Sequence, residues 1–182
     1  MPRLYLIRHG KAAAGWDANL DPGLDPLGQS QADAMAERIA PLGPLGLLVS
    51  PLKRTRETAA PLETKWRQAG VIEPAVAEIP SPTPDLAARR LWLDRIMAAG
   101  WAAIDADLQA WRMGIIERLL GLSEDTVVVS HFIAINVAVG AATGDTRLIC
   151  FRPDNCSRTV LDVEDDRLVL VELGDEDRTE VR

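Results

Sequence analysis

The sequence has few cysteines and a deficit of positive charge, which argues against several classes of protein. It contains two cysteines, Cys150 and Cys156, in 182 residues. These are too few and wrongly spaced for a zinc site, so we expect buried or incidental thiols, with a disulfide as the alternative that the sequence does not support. Positive charge is also scarce, because the formal net charge is −7. An acidic chain is a poor partner for nucleic acid or for an anionic membrane surface.

Long apolar stretches are absent as well. The longest fall well short of the ~20 residues that span a bilayer, and the short apolar run Leu4–Ile7 is followed at once by Arg8. We therefore expect no membrane span and no secretory leader, and we predict a cytoplasmic protein. Hydrophobic residues make up 47% of the chain, which is ordinary for a globular protein, so one domain over residues 1–182 is expected. No feature of the sequence indicates an oligomeric state.

Predicted strands and helices alternate along the chain. Short apolar runs predict strands over about 3–8, 45–50, 71–79 and 127–130, with a closing hairpin at 159–163 and 167–171. Helical spacing predicts helices over about 26–40, 53–68 with a kink or break near Pro61, 85–99, 101–121 and 133–143. This alternation predicts an α/β fold, a three-layer sandwich with a mostly parallel sheet flanked by helices.

The chain has only two histidines, and each follows an apolar run that indicates a strand. His9 ends the run 4–9 with Arg8 beside it, and His131 ends the run 126–131. A parallel sheet places its functional groups at the carboxyl ends of its strands, so both histidines are expected at one edge of the sheet. Such a pair beside an arginine indicates phosphoryl chemistry. The alternative is that each histidine only caps its own strand.

The residue types in Arg8-His9-Gly10 suit a phosphoryl acceptor. An imidazole with a pKa of about 6.5 is largely neutral at pH 7, and nearby arginines lower that pKa further by repulsion. Arginine also binds phosphate oxygens through two hydrogen bonds. Gly10 lacks a side chain and lets backbone and substrate approach closely.

Two further segments are expected to add positive potential to the same edge. Residues 50–59 follow a predicted strand and open a helix, with Arg54 in the first turn. The helix after His131 is expected to begin with free backbone amides, and helix amino termini attract anions. A solvated basic helix end and a structural histidine are the respective alternatives.

Together these residues resemble the histidine phosphatase superfamily, also called the phosphoglycerate mutase-like superfamily. The resemblance covers most of the chain and depends on four segments in the right order. They are Arg8-His9-Gly10, the segment 24–32 that is similar to the family's Leu-Thr-x-x-Gly-x-x-Gln-Ala helix start, the segment 50–59, and His131 after its valine-rich strand.

The resemblance implies a metal-independent phosphatase. His9 would be the nucleophile that forms a phosphohistidine, while Arg8, Arg54 and His131 would surround the phosphoryl group. No cofactor or metal is required, and the substrate would be a phosphorylated small molecule or a phosphoprotein. The alternatives are a phosphoglycerate mutase-like isomerase and a non-catalytic module that binds a phospholigand.

Many members of the family also have a carboxylic acid that protonates the leaving alcohol. Glu78, placed at the end of the third predicted strand, is our candidate, with Asp85 and Asp17 as weaker alternatives. The other interpretation of Glu78 is a solvent-exposed strand end. The resemblance further implies a small helical lid over residues 79–121. Its three tryptophans, which we interpret as core residues, are Trp92, Trp101 and Trp111.

The chain departs from the family pattern at several positions. Family members follow Arg-His-Gly with Glu or Gln, then Thr or Ser, and soon an Asn, whereas this chain has Lys11 and then alanines. Asn19 is an uncertain substitute. Lys11 would either add charge at the phosphate site or be solvated. Phe132 stands where glycine often follows the second histidine and narrows the space there. These departures count against a mutase more than against a phosphatase.

Overall fold

A six-stranded mixed sheet forms the centre of the computed structural model, which describes residues 1–15 and 18–176. The strands of the described ranges are β1 (Arg3–Arg8), β2 (Gly46–Val49), β3 (Val71–Ile72), β4 (Thr126–Ser130), β5 (Arg158–Glu164) and β6 (Arg167–Glu172). The α-helices there are α1 (Pro26–Ile39), α2 (Lys53–Trp66), α3 (Leu86–Met97), α4 (Ala106–Leu120) and α5 (Phe132–Thr143). The strand order is β3-β2-β4-β1-β5-β6. The first four strands are mutually parallel, β5 is antiparallel to β1, and β6 is antiparallel to β5. The predicted α/β class with a mostly parallel sheet is confirmed.

The sheet has a hydrophobic core on each face. Successive residues of a strand point to opposite faces, so Leu6 and Val128 enter one core cluster while Ile7 and Val129 enter the other. The helices add Leu93, Ile115 and Ile135 to the first cluster, and Met35 and Leu62 to the second. Helices α1 and α2 therefore cover one face and α3, α4 and α5 cover the other, which gives the three layers.

Helix α5 belongs to the interior of the domain. Residues 132–140 are all buried, because the helix packs against the sheet and against α4. A helix that is apolar on all sides is typical of a protein core. None of the helices in the described ranges is both long enough and apolar enough to cross a membrane.

The third strand is much shorter than the predicted range 71–79. It covers Val71–Ile72 only, and a 3₁₀ turn follows at Pro74–Val76. Proline has no backbone N–H for a strand ladder, and the Glu73 side chain instead accepts a hydrogen bond from the Ala75 amide at 3.1 Å. Glu78 consequently lies beyond the end of the sheet and not at a strand end.

Two helix predictions also need correction. The predicted helix 101–121 begins as a 3₁₀ turn at Trp101–Ala103, and α4 starts only after Asp105, whose carboxylate accepts from the Leu108 amide at 3.0 Å. An aspartate at this position favours a new helix start. Helix α2, in contrast, is one helix that continues through Pro61, so the predicted alternative of a break there is wrong. Trp101 is buried, and Trp92 and Trp111 pack against the same core cluster, as predicted.

Both cysteines are free thiols. Cys156 is buried and Cys150 is half-buried, and burial raises the pKa of these thiols to about 12 and about 11 respectively. Both side chains are therefore protonated and unreactive at neutral pH.

Helix α1 begins against the loop that carries His9. Asp25 accepts a hydrogen bond from the Gly28 amide at 2.7 Å, and α1 starts at Pro26, which confirms the predicted start of this helix at about residue 26. A Cβ atom on Gly28 would lie 2.2 Å from the Lys11 carbonyl oxygen, and one on Gly10 would lie 2.6 Å from the Gly28 carbonyl oxygen. The two glycines therefore allow close backbone packing between α1 and the loop.

We expect Gly28→Ala to lower the free energy of unfolding by about 1–3 kcal/mol, because its methyl group would overlap a backbone atom. Gly114→Ala is the matched control, since Gly114 also lies in a helix but a Cβ atom there would meet no neighbouring atom within 4 Å outside its own helix backbone. That change should raise the free energy of unfolding by about 0.5–1 kcal/mol. Urea unfolding measures both values, and an equal response of the two variants would contradict a role of Gly28 in close packing.

Candidate active site

The two histidines meet at the carboxyl edge of the sheet. Parallel pairing sets Arg8 of β1 opposite Ser130 of β4, so His9 and His131 leave neighbouring strands side by side. Their ring centroids are 5.3 Å apart at an interplanar angle of 62°. His9 is 8% exposed and His131 is fully buried. The structure thus brings together the two side chains that the sequence pattern placed at this edge.

The hydrogen bonds of His9 define its tautomer. Its Nδ1 lies 2.7 Å from the Gly10 carbonyl oxygen, which can only accept, so Nδ1 carries the proton. Its Nε2 lies 3.2 Å from Nε of Arg54, which can only donate. The lone pair of Nε2 therefore faces the guanidinium. This is the atom from which a histidine could attack a phosphorus atom.

The surroundings of His9 keep its ring neutral. Burial lowers its pKa well below 6.5, and the positive charges of Arg54 and Arg8 lower it further. A neutral imidazole is nucleophilic, whereas an imidazolium is not. The electrostatics of the site therefore favour the reactive form of His9 at neutral pH.

Arg54 lies in the first turn of α2 and is almost fully buried. Burial lowers the pKa of its guanidinium, and the like charges of Arg89 and Arg8 act in the same direction. Thr58, one turn later, donates to the Arg54 carbonyl at 2.7 Å and accepts from the Gly10 amide at 3.0 Å. This threonine therefore ties the start of α2 to the loop after His9.

Arg8 reaches the same edge from the end of β1. Its Nη1 donates to the Pro153 carbonyl at 2.7 Å, and its guanidinium carbon lies 5.1 Å from the centroid of the Phe132 ring. Asn155 donates to the His9 carbonyl at 2.9 Å. The contribution of residues 153–155 was not foreseen, because no local pattern in the sequence indicates that this loop returns to β1.

His131 is oriented by a buried serine. Its Nε2 lies 2.7 Å from Oγ of Ser50, a residue that follows β2 and is itself fully buried. Within the described residues, its Nδ1 is buried without a hydrogen-bond partner. Burial lowers its pKa well below 6.5, and His9 and Arg54 add to this effect. His131 is therefore neutral, with one ring nitrogen held by Ser50.

Glu78 is buried, contrary to the interpretation as a solvent-exposed strand end. One carboxylate oxygen accepts from the Ile133 amide at 3.2 Å and the other from the Ala134 amide at 3.3 Å, two and three residues after His131. The amino-terminal amides of α5 were expected to be free, and these two are occupied by Glu78. Burial raises the pKa of its carboxyl group despite these hydrogen bonds.

Arg89 is a buried cation that was not foreseen from the sequence. It lies on α3, is 8% exposed and interacts electrostatically with Glu78, while burial lowers its pKa. Its spacing from Leu93 and Ile96 sets it on the buried stripe of the helix. A charged residue on an apolar stripe was the available signal for a functional position.

The other candidate residues pair with groups other than the two histidines. Lys11 forms an ion pair with Asp25 at 3.0 Å, the residue that caps α1. Asp85 caps α3 by accepting from the Ala88 amide at 2.8 Å, and Asn19 accepts from the Asp21 amide at 3.0 Å. The alternative acid Asp17 lies outside the described residues.

The site offers cationic and imidazole groups around one nucleophilic nitrogen. In the part of the chain that the structure describes, no three His, Cys, Asp or Glu side chains come together as a metal site. The functional roles of His9, His131, Arg8, Arg54, Glu78, Gly10, Lys11 and Phe132 stay predictions. Their arrangement suits the binding and transfer of a phosphoryl group.

The low histidine pKa values make stability depend on pH. An unfolded histidine binds protons near pH 6.5, whereas the folded pKa of His9 and of His131 lies well below this value. The unfolded chain thus binds more protons in this range, and the free energy of unfolding should fall as the pH drops below about 6.5. The loss is at most about 1.4 kcal/mol per pH unit for each histidine.

Urea unfolding of the native protein and of His131→Gln between pH 7.5 and 5 tests this expectation. The variant should lose less stability over this interval than the native protein does. Glu78 has the opposite effect, because its raised pKa favours folding at lower pH, but it is common to both proteins. If the free energy of unfolding changed equally with pH in the two proteins, the lowered pKa of His131 would be contradicted.

Comparisons with known proteins agree with the fold and with the sequence motifs. Residues 4–82 match the family model of the histidine phosphatase superfamily, branch 1. A PE-PGRS family protein of Mycobacterium tuberculosis is 39% identical over 79 residues, which cover 40% of this chain. The match spans only 14% of that curated relative's length.

Solved structures share the fold over nearly the whole chain. Phosphoserine phosphatase from Entamoeba histolytica is 21% identical, covers 98% of each chain and has a TM-score of 0.74. A mycobacterial glucosyl-3-phosphoglycerate phosphatase is 22% identical, covers 95% of this chain and 99% of its own, and has a TM-score of 0.73. The α-ribazole phosphatase from Shigella flexneri is 20% identical, with coverage of 95% and 96% and a TM-score of 0.73. Residues 4–82 are thus similar to the histidine phosphatase superfamily, and the whole chain shares the fold of these solved structures.

Proposed function

We propose that this chain is a phosphatase that hydrolyses phosphomonoesters through a phosphohistidine at His9, without a metal ion. The match of residues 4–82 to the family model of the histidine phosphatase superfamily supports this activity, as does the naming of the structural neighbours as phosphatases. The observation that carries the proposal is the environment of His9. Its Nδ1 is held by the Gly10 carbonyl, and its Nε2 lone pair faces the buried Arg54.

The first step transfers the phosphoryl group to His9. Nε2 attacks phosphorus while the bond between phosphorus and the ester oxygen breaks. Arg8 and Arg54 neutralise charge on the phosphoryl oxygens, and His131 donates through the ring nitrogen that Ser50 leaves available. In the second step, water attacks the same phosphorus, the bond to nitrogen breaks, and His9 returns to its neutral form with release of phosphate.

Glu78 is the group we propose to supply and recover the proton. Its raised pKa allows it to hold a proton at a higher pH than an ordinary carboxyl group does. The protonated acid gives this proton to the leaving alcohol in the first step. The resulting carboxylate accepts a proton from the attacking water in the second step, so each turnover restores the starting state.

The role of Glu78 predicts a dependence on the leaving group. We expect Glu78→Gln to lower kcat about 10²- to 10⁴-fold for an alkyl phosphate such as phosphoserine, because an alkoxide leaves poorly without a proton. The loss should be below about 10-fold for p-nitrophenyl phosphate, whose leaving group is stable as an anion. Steady-state kinetics on both substrates measures the difference. Equal losses would show that Glu78 acts only through its hydrogen bonds to α5.

The neighbours' names favour a small phosphorylated metabolite as the substrate class. Phosphate release from a panel of phosphomonoesters, with a phosphoseryl peptide included and a chelator present, tests the activity. Acid-labile, base-stable labelled phosphate on the quenched protein would identify the phosphohistidine. Phosphate binding without turnover on any substrate would indicate a binding module, and interconversion of monophosphoglycerates on addition of bisphosphoglycerate would indicate a mutase.

A further inference from the structure

We propose that Phe132 is a positioning residue that holds the Arg8 guanidinium at the phosphate site through the face of its ring. This inference rests on the proposed function, because it concerns the pocket in which the phosphoryl group would bind. Phe132 directly follows His131 and begins α5. Two consecutive residues therefore serve the proposed phosphate site: His131 supplies an imidazole, and Phe132 supports Arg8.

The ring is well placed for this task. The guanidinium carbon of Arg8 lies 5.1 Å from the ring centroid, within the range of a cation–π interaction. Phe132 is 6% exposed and belongs to the core cluster of α5 and the sheet, so neighbouring side chains hold its ring in place. A fixed ring thus supports a long side chain that has many rotamers of its own.

Repulsion inside the site explains why Arg8 needs such support. Arg8 lowers the pKa of His9, of His131 and of Arg54, so its charge acts on all three groups. In the absence of a bound anion, the repulsion between Arg8 and Arg54 favours conformations in which Arg8 turns away. An attractive contact at the ring opposes that movement.

An aromatic ring is a better support here than a carboxylate. A carboxylate next to Arg8 would cancel much of the positive charge that the phosphoryl group needs and would raise the histidine pKa values. The ring attracts the guanidinium through its electron-rich face and takes up none of its N–H donors. The Pro153 carbonyl, 2.7 Å from Nη1, is likewise uncharged. Neither of these two contacts adds a negative charge beside Arg8.

A double-mutant cycle on binding of inorganic phosphate tests the proposal. Isothermal calorimetry would compare the native protein, Phe132→Leu, Arg8→Gln and the double variant, with thermal unfolding as a check on folding. Phe132→Leu should weaken phosphate binding about 3- to 30-fold in the native background. The same change should alter binding less than about 2-fold when Arg8 is already replaced. Phe132→Tyr keeps an aromatic face and should bind phosphate as the native protein does.

A second readout separates positioning from packing. If Arg8 moves away in Phe132→Leu, the pKa of His9 should rise toward its ordinary value, which NMR titration of the imidazole detects. Equal weakening of phosphate binding in both Arg8 backgrounds, or an unchanged His9 pKa in Phe132→Leu, would overturn the proposal. If the cycle showed coupling between Phe132 and Arg8 in phosphate binding but the protein released no phosphate from any ester, the positioning role would be supported and the phosphatase activity contradicted. Absence of phosphate binding by the native protein would contradict both.

Discussion

Replacement of His9 by alanine is expected to lower kcat on phosphomonoesters by about 10⁴- to 10⁶-fold, the scale on which loss of a nucleophile acts in other enzymes. The reason is that Nε2 of His9 is the ring nitrogen that carries no proton and accepts from Nε of Arg54, while Nδ1 donates to the Gly10 carbonyl. The variant should also accumulate no phosphohistidine. Phosphate release and acid-labile phosphate on the quenched protein measure the two effects.

His131→Ala is the control that separates the two histidines. His131 is proposed to donate to the phosphoryl group without forming a covalent bond, so its loss should lower kcat only about 10²- to 10³-fold. This variant should still carry labelled phosphate on His9. Full turnover by His9→Ala would overturn the proposed mechanism. If His9→Ala carried labelled phosphate and His131→Ala did not, His131 would be the nucleophile and His9 the non-covalent donor.

Arg54→Met is expected to remove activity and to keep or increase stability. Loss of an arginine that neutralises a transferring phosphoryl group should lower kcat/KM about 10³- to 10⁵-fold. The guanidinium is nevertheless costly in the free protein, because it is 5% exposed and its burial outweighs the attraction of Glu78 and Asp21. Removal of a charge from water costs several kcal/mol, so an apolar side chain of similar size in place of Arg54 should leave stability unchanged or improve it.

Arg56→Met is the matched control for this prediction. Arg56 lies two residues along the same helix and is exposed, so its replacement should change neither kcat/KM nor the urea midpoint appreciably. Enzyme kinetics and urea unfolding of both variants complete the test. If Arg54→Met is active, Arg54 does not contact the phosphoryl group. If it is inactive and much less stable, its side chain serves the fold, and its buried charge is not a cost to stability.

Much of the fold could be predicted because its patterns are local. The apolar runs of β1 and β4, the Asp25-Pro26 helix start and the closing hairpin each depend on a few neighbouring residues. The errors occurred where a side chain or a proline competes with a regular pattern. Pro74 ended β3 after two residues, and Asp105 began a new helix inside a predicted one.

The site was predictable in part for the same reason. Parallel strands bring their carboxyl ends to one edge, so His9 and His131 could be expected to meet before their contact was seen. Glu78 was named from the sequence, but its burial and its hydrogen bonds to Ile133 and Ala134 were not foreseen. Its partners lie more than fifty positions away, and no periodicity connects residues at that distance.

The sequence by itself therefore determined the order of the elements, the sheet edge on which the two histidines lie and the arginines that accompany them. Only the tertiary structure decided the orientation, the contacts and the pKa values of those side chains. It set His9 Nε2 toward Arg54, attached His131 to Ser50, and supported Arg8 on the Phe132 ring. Local patterns encode which atoms arrive at an edge, whereas burial and long-range contacts set their charge and orientation.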